Sequence, residues 1–250
     1  MKVIRDTWLV LARQIQLALR QPVWLVIGLM MPVLYLVLFG PLQEKALQTT
    51  REKAYQQFTP GMLVMMAIFG TLFVGFGLIA ELRAGVIERM RVTPVSRIAL
   101  LFGRAGRDVA MLLVQSIILV ALAVPFGLKI EVGPVLLMFA LLALIGLLCS
   151  SLSYGLALLT RSEDALAPIV QTFSQPLLLT AGILLPMALA PKWLQNVSDF
   201  NPFSWAVTAS RALFVGRPED PSVWKALVIL VVLAALSVFW GARSFAKAVR

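Results

Sequence analysis

Charged residues are scarce in this sequence: Asp, Glu, Lys and Arg make up 14% of its 250 residues, whereas hydrophobic residues make up 60%. A water-soluble domain of this size carries about 25% charged residues, because it needs them to cover its surface. This chain has no such surplus, so lipid must be its main solvent.

Histidine is absent, and cysteine occurs once, as Cys149 within an apolar run. A single cysteine excludes an internal disulfide and a thiolate metal cluster, and the lack of histidine removes the commonest general base and metal ligand. The sequence has no Gly-Lys dipeptide, so it has no phosphate-binding P-loop. We therefore predict that this chain is not an enzyme and holds no cofactor or metal of its own.

Six uncharged runs are long enough, or nearly so, to cross a membrane as helices. They cover residues 21–43, 54–80, 109–128, 132–160, 165–191 and 226–242. About 20 apolar residues span the hydrocarbon core, and a helix satisfies its own backbone hydrogen bonds in lipid. We predict an all-α integral membrane protein, a single domain of residues 1–250 with six transmembrane helices.

The 22 Lys and Arg residues predict the orientation of these helices. With the N-terminus in the cytoplasm, most of them fall in cytoplasmic segments, whereas the 12 acidic residues divide evenly between the two sides. This positive-inside bias predicts cytoplasmic N- and C-termini in a multi-pass protein of the inner (cytoplasmic) cell membrane. The net charge of +10 is dispersed, so it indicates contact with membrane lipid and not with nucleic acid.

Residues 1–20 have the pattern of an amphipathic helix. Apolar residues recur at steps of three or four, at Ile4, Trp8, Leu11, Ile15 and Leu19, opposite basic and polar residues. We expect this helix to lie in the headgroup layer with Trp8 as its anchor. A simple membrane anchor and a docking surface for a partner both fit this pattern.

Residues 81–107, between the second and third runs, form the most highly charged part of the chain and carry both signs of charge. The Thr93-Pro94 pair interrupts this segment, because a residue before proline is pushed out of the helical region. We predict a short cytoplasmic helix to about Arg91, a turn, and a second helix that enters the third span. A contact with a partner is favoured, and a solvated loop that only fixes topology is the alternative.

Residues 187–222 are too polar for a seventh span, and we predict extracytoplasmic re-entrant or interfacial helices there. Asn201-Pro202 is a helix N-cap followed by a first-turn proline, and Gly216 is a helix stop. Arg211 lies within this short helix. Its side chain either reaches water along its own stem or pairs with carbonyls of a neighbouring span and keeps an exit closed.

Polar residues are few inside the spans, and the fifth run is the exception. Gln171 and Gln175 lie one helical turn apart there, between Pro168 and Pro176, which kink a helix. They either line a transport path or make hydrogen bonds between helices. A carrier without an ion-coupling or ATP site needs a separate ATPase subunit, which we expect on the basic cytoplasmic face.

Two motifs resemble those of a known family. Asn201-Pro202-Phe203-Ser204, followed by Arg211-Ala212-Leu213-Phe214 and Gly216, is similar to the C-terminal signature of the permease subunits of ABC-2-type exporters. The second is Glu88-Arg89-Met90-Arg91-Val92-Thr93-Pro94-Val95-Ser96-Arg97, before the third span. Together with the six-span layout, these motifs make the chain resemble especially the daunorubicin and drug-resistance branch of this exporter family.

This resemblance implies the permease of an ATP-driven exporter that moves an amphiphilic drug or lipid-like substrate outwards. It implies a homodimer of permeases with two ABC ATPase subunits, which bind ATP and magnesium. It further implies that Glu88, Arg89, Met90 and Arg91 form the ATPase-coupling helix, and that the outer helices near 191–216, with Asn201, Pro202 and Arg211, shape the exit. Alternatives are a permease for polysaccharide or glycolipid, and a facilitator or channel without an ATPase.

Overall fold

The computed structural model describes residues 2–46, 48–86, 96–129, 131–184 and 186–248. Within these ranges the protein is all-helical, with ten α-helices and no strand. The helices are α1 (Lys2–Leu19), α2 (Val23–Ala46), α3 (Arg51–Leu72), α4 (Gly75–Arg83), α5 (Arg97–Ala123), α6 (Val132–Thr160), α7 (Glu163–Thr180), α8 (Lys192–Ser198), α9 (Pro202–Phe214) and α10 (Pro221–Ala248).

Five helical stretches of the described chain are long and apolar enough to cross a membrane. They are Val23–Ala46, Arg51–Arg83, Ile98–Phe126, Val132–Thr160 and Pro221–Phe245. They coincide with five of the six predicted runs, and the protein is therefore a multi-pass membrane protein. The remaining run, 165–191, covers most of α7, whose 18 residues begin with the acidic Glu163 and Asp164. It is followed by a turn and a short 3-10 helix, Met187–Leu189.

The second span is interrupted between α3 and α4, and a serine from α6 bridges the interruption. Ser153 Oγ accepts a hydrogen bond from the Gly75 N–H at 2.9 Å and donates one to the Leu72 carbonyl at 2.5 Å. A Cβ at Gly75 would lie 2.7 Å from Ser153, so only glycine permits this approach. The serine satisfies two backbone groups that the helix break leaves open.

Helix α1 forms as predicted and packs along α5. The face of α1 that packs on α5 includes the buried residues Asp6, Gln14 and Ala18. Val10 on this face lies so close to Gly103 of α5 that a Cβ at Gly103 would stand 2.6 Å from the Val10 side chain. Ile4 and Trp8 on another face are 77% and 67% exposed. One side of α1 thus contacts the bundle and another is free to contact lipid.

Candidate functional site

A groove of about 460 Å³ runs between α2, α3 and α7. This volume falls in the range of small-molecule sites, which are about 300–1,000 Å³ and mostly apolar with a few polar groups. Its lining includes Met31, Met65, Met66, Tyr35, Phe69 and Gln175. Methionine side chains adapt to ligands of different shape, so the groove suits a bulky amphiphile.

A second cavity of about 350 Å³ lies beside this groove and extends towards α8. Both cavities are lined by Tyr35, Met65 and Leu178, and the second extends along the turn after α7 to Leu194 of α8. The two cavities are open grooves that lie side by side and share these three lining residues; together, as the α7 groove, they extend along α2, α3 and α7 to the turn after α7.

Helix α7 borders this groove and is held to the bundle by one buried stripe, Leu166, Val170 and Ser174. The two glutamines predicted from the sequence are both exposed, and only Gln175 lines the groove. An amide that faces hydrocarbon without a partner costs several kcal/mol. The exposed face of α7 therefore requires water or another protein surface beside it.

Asn201 joins the start of α9 to the end of α7. Its Oδ1 accepts from the Phe203 N–H at 2.9 Å, as expected of an N-cap, and Pro202 occupies the first helical position. Its Nδ2 donates to the Leu177 carbonyl at 2.6 Å and to Thr180 Oγ1 at 2.8 Å. One buried amide thus caps α9 and attaches it to α7.

Arg211 holds the turn that follows α7. Its Nη2 donates to the carbonyls of Gly182, at 2.7 Å, and Ile183, at 3.2 Å, and its Nε donates to the Gln57 carbonyl of α3 at 3.1 Å. Burial lowers the pKa of Arg211 to about 10, so the guanidinium keeps its charge at neutral pH. Of the two alternatives stated for this residue, the geometry is that of pairing with carbonyls.

The same turn depends on two glycines and on α2. Gly182 has a φ of +70°, a conformation that side chains with a Cβ adopt only with strain. Gly61 of α3 lies against the turn, because a Cβ there would stand 2.8 Å from the Ile183 carbonyl oxygen. Gln43 of α2 donates to the next carbonyl, that of Leu184, at 2.5 Å. Three consecutive carbonyls are thus bound by side chains of α2 and α9.

The predicted coupling residues Glu88, Arg89, Met90 and Arg91 lie outside the described residues. The described flank begins at Ser96, whose Oγ accepts from the Ala99 N–H at 3.1 Å and caps α5. The Ser96 N–H donates to Asp6 of α1 at 3.4 Å. Helix α1 is therefore hydrogen-bonded to the N-terminus of α5, directly after the predicted coupling segment.

Sequence reasoning missed a partly buried charge cluster at the same end of the bundle. Arg104 of α5, only 4% exposed, pairs with Glu81 of α4. The adjacent Arg107 pairs with Asp108 at 2.9 Å, and Asp108 also accepts a hydrogen bond from Tyr154 of α6. The sequence signal for this cluster was the spacing of Arg104 and Asp108, which lie four residues apart and therefore on the same face of a helix.

No group of three or more His, Cys, Asp or Glu side chains in the described ranges could hold a metal ion.

The sequence profile of the ABC-2 type transporter family matches residues 5–215. A putative transport permease, ycf38, of Cyanophora paradoxa is 30% identical over 202 residues, covering 78% of this chain and 69% of the relative. The daunorubicin resistance ABC transporter permease protein DrrB1 of Streptomyces coeruleorubidus is 29% identical, covering 86% and 76%. The probable doxorubicin resistance ABC transporter permease protein DrrC of Mycobacterium tuberculosis is 25% identical, covering 85% and 80%.

Proposed function

The chain belongs to the ABC-2 type transporter family, and from this premise we propose that it is the permease subunit of an ATP-driven exporter of amphiphilic drugs or lipid-like molecules. The α7 groove carries the proposal, because its lining combines adaptable methionine and aromatic side chains with the amide of Gln175. Two relatives are named for resistance to daunorubicin and doxorubicin. These two drugs are therefore the first substrates to test in transport assays.

ATP hydrolysis takes place in a separate ABC ATPase, two copies of which bind ATP and magnesium. A second permease copy covers the exposed face of α7, so that Gln171 and Gln175 face a water-filled path between the two copies. In this assembly α7 crosses the membrane as the fifth of six spans, and α8 and α9 are re-entrant helices at the outer end.

The experiment that tests this function is reconstitution of the permease with its ATPase in proteoliposomes. We expect daunorubicin to stimulate ATP hydrolysis and to be moved across the membrane only when ATP is supplied. Movement without an ATPase would show a facilitator instead, and stimulation by a glycolipid but by no drug would identify the other substrate class.

The orientation predicts which positions an impermeant maleimide reaches from outside the cell. In a Cys149→Ala background, we expect labelling of Gln48→Cys and Glu219→Cys and none of Arg97→Cys. Labelling after permeabilisation serves as the control for reactivity. Strong labelling of Arg97→Cys in intact cells would contradict cytoplasmic placement of the coupling segment.

The coupling segment is tested by the triple reversal Glu88→Lys, Arg89→Glu and Arg91→Glu. If these charges dock on the ATPase, we expect drug-stimulated ATP hydrolysis to be lost while the permease still inserts and dimerises, since like charges now face each other. The matched control reverses three exposed outer residues, Lys192→Glu, Arg217→Glu and Glu219→Lys. Normal export by the first triple variant would show that the segment only sets topology.

The path is tested by Gln175→Leu and Gln171→Leu. A hydrogen bond to a polar group of the substrate contributes about 0.5–1.5 kcal/mol, so we expect drug efflux to fall about two- to tenfold in Gln175→Leu. Gln16→Leu, on the exposed side of α1, makes the same chemical change away from the groove. Unchanged efflux in both α7 variants would leave these glutamines without a role in the path.

A further inference from the structure

A third cavity, of about 270 Å³, lies where α1 meets the bundle and is separate from the proposed drug path. Its wall is built from five helices and includes Gln14, Trp24, Gly77, Glu81, Arg104 and Arg107. The cavity thus has two guanidinium groups and one carboxylate in its wall, although it belongs to a membrane protein.

The accessible guanidinium of this cavity has unused hydrogen-bonding capacity. The Arg107 side chain is 34% exposed, and in the described part of the chain its one side-chain partner is Asp108, which it binds through Nη1. A guanidinium has five N–H donors, so Arg107 can still donate to an acceptor in the cavity. A phosphate group, with several oxygen atoms, is an acceptor of this kind.

The rim of the cavity carries exposed apolar side chains. Leu17 of α1 and Trp24 of α2 both line the cavity and are 46% and 67% exposed. Exposed leucine on an amphipathic helix, and tryptophan at the start of a membrane-spanning helix, are typical of the boundary between headgroups and acyl chains. A polar cavity with such a rim is open to a lipid whose chains remain in the bilayer.

We propose that this cavity binds the headgroup of a phospholipid that carries both a phosphate and a primary ammonium group, as in phosphatidylethanolamine. The phosphate accepts hydrogen bonds from Arg104 and Arg107, and the ammonium group donates to Glu81. The acyl chains pass over Leu17 and Trp24 into the bilayer. The bound lipid thereby joins α1, α4 and α5.

The balance of charge selects a zwitterionic lipid over an anionic one. Arg104 and Arg107 are already paired with Glu81 and Asp108, so the cluster has no net formal charge. An added anion would remain uncompensated in a partly desolvated site, which is costly. A headgroup with one charge of each sign adds no net charge and finds a partner for both.

The test uses the full-length protein, delipidated in detergent, with short-chain phospholipids as probes. We expect dihexanoyl phosphatidylethanolamine to bind once per chain in native mass spectrometry and to raise the midpoint of thermal unfolding, because it binds the folded state. We expect weaker effects from phosphatidylcholine, whose ammonium group has no N–H, and from phosphatidylglycerol. Inorganic phosphate alone should have no effect.

Two variants and two matched controls locate the site. Arg107→Gln should weaken phosphatidylethanolamine binding about tenfold, as expected for loss of a charged hydrogen bond. Gly77→Leu should block it, because Gly77 lines the cavity and a Cβ there meets nothing within 4 Å, so a larger side chain has room to occupy the cavity. Arg20→Gln and Gly133→Leu make the same changes outside the cavity and should bind normally.

Retention of phosphatidylethanolamine by both Arg107→Gln and Gly77→Leu would overturn the proposed site. Tighter binding of phosphatidylglycerol would overturn the zwitterionic assignment, and equal stabilisation by inorganic phosphate would show that the lipid is not required. None of these outcomes depends on drug export, so the lipid site and the proposed function fail separately.

Discussion

Arg211→Lys is expected to export drug about as poorly as Arg211→Ala, although it retains the positive charge. The bond to the Gln57 carbonyl is made by Nε, and lysine has a methylene group at the corresponding position. A lysine ammonium also lacks the planar fork that lets one guanidinium bind the neighbouring carbonyls of Gly182 and Ile183. Since a hydrogen bond to a charged group contributes about 1.5–3 kcal/mol, we expect export to fall at least about tenfold.

ATP hydrolysis and drug efflux are measured together for these variants, because a loosened turn after α7 should uncouple the two activities. Arg217, exposed three residues beyond the end of α9, offers a matched control. Arg217→Lys and Arg217→Ala should both export normally. Normal coupling in Arg211→Lys would mean that the charge alone is sufficient and that the carbonyl contacts do not hold an exit closed.

The helices were predictable from sequence where hydrophobicity alone determines them. Long apolar runs such as 132–160 have one stable form in lipid, and the structure places α6 at Val132–Thr160. The end of α7 at Thr180 was not predictable in this way, because the run continues without a charge to 191. Gly182, with a φ of +70°, is a local stop signal just after the helix, and Arg211, Gln43 and Gly61 make tertiary contacts with the turn that follows.

The sequence allowed us to predict which residues belong to the candidate site, but not which residues they bind. Asn201 was identified as an N-cap from the Asn-Pro pair, and it is one. Its bonds to Leu177 and Thr180 join segments more than 20 residues apart, and no local pattern encodes such contacts. For Arg211, sequence left two alternatives because the same short helix is compatible with both.

The charge cluster was missed for a related reason. Counting uncharged runs places the end of a span at the first charged residue, so Arg104 was assigned to a cytoplasmic segment. In the structure α5 is continuous from Arg97 to Ala123, and Arg104 is buried beside Glu81. Pairing lowers the cost that the count assumes, because each charge supplies the partner that the other needs.

This pairing predicts that removing one charge is worse than removing both. Glu81→Leu leaves Arg104 buried without its carboxylate, which should lower the free energy of unfolding by about 3–5 kcal/mol. Arg104→Leu should cost less, because the Glu81 side chain is 31% exposed and can turn to water. The double variant should be more stable than Glu81→Leu alone, since a well-packed apolar pair replaces the ions.

The measurement is the free energy of unfolding of the four proteins in a detergent titration, analysed as a double-mutant cycle. Arg83 and Glu163 form a matched surface pair at 3.2 Å, with side chains 58% and 40% exposed. Their leucine variants should change stability by at most about 1 kcal/mol, because water screens an exposed pair. If the two Glu81 and Arg104 losses simply add in the double variant, the buried pair does not act as a unit, and Arg104 is stabilised by contacts other than Glu81.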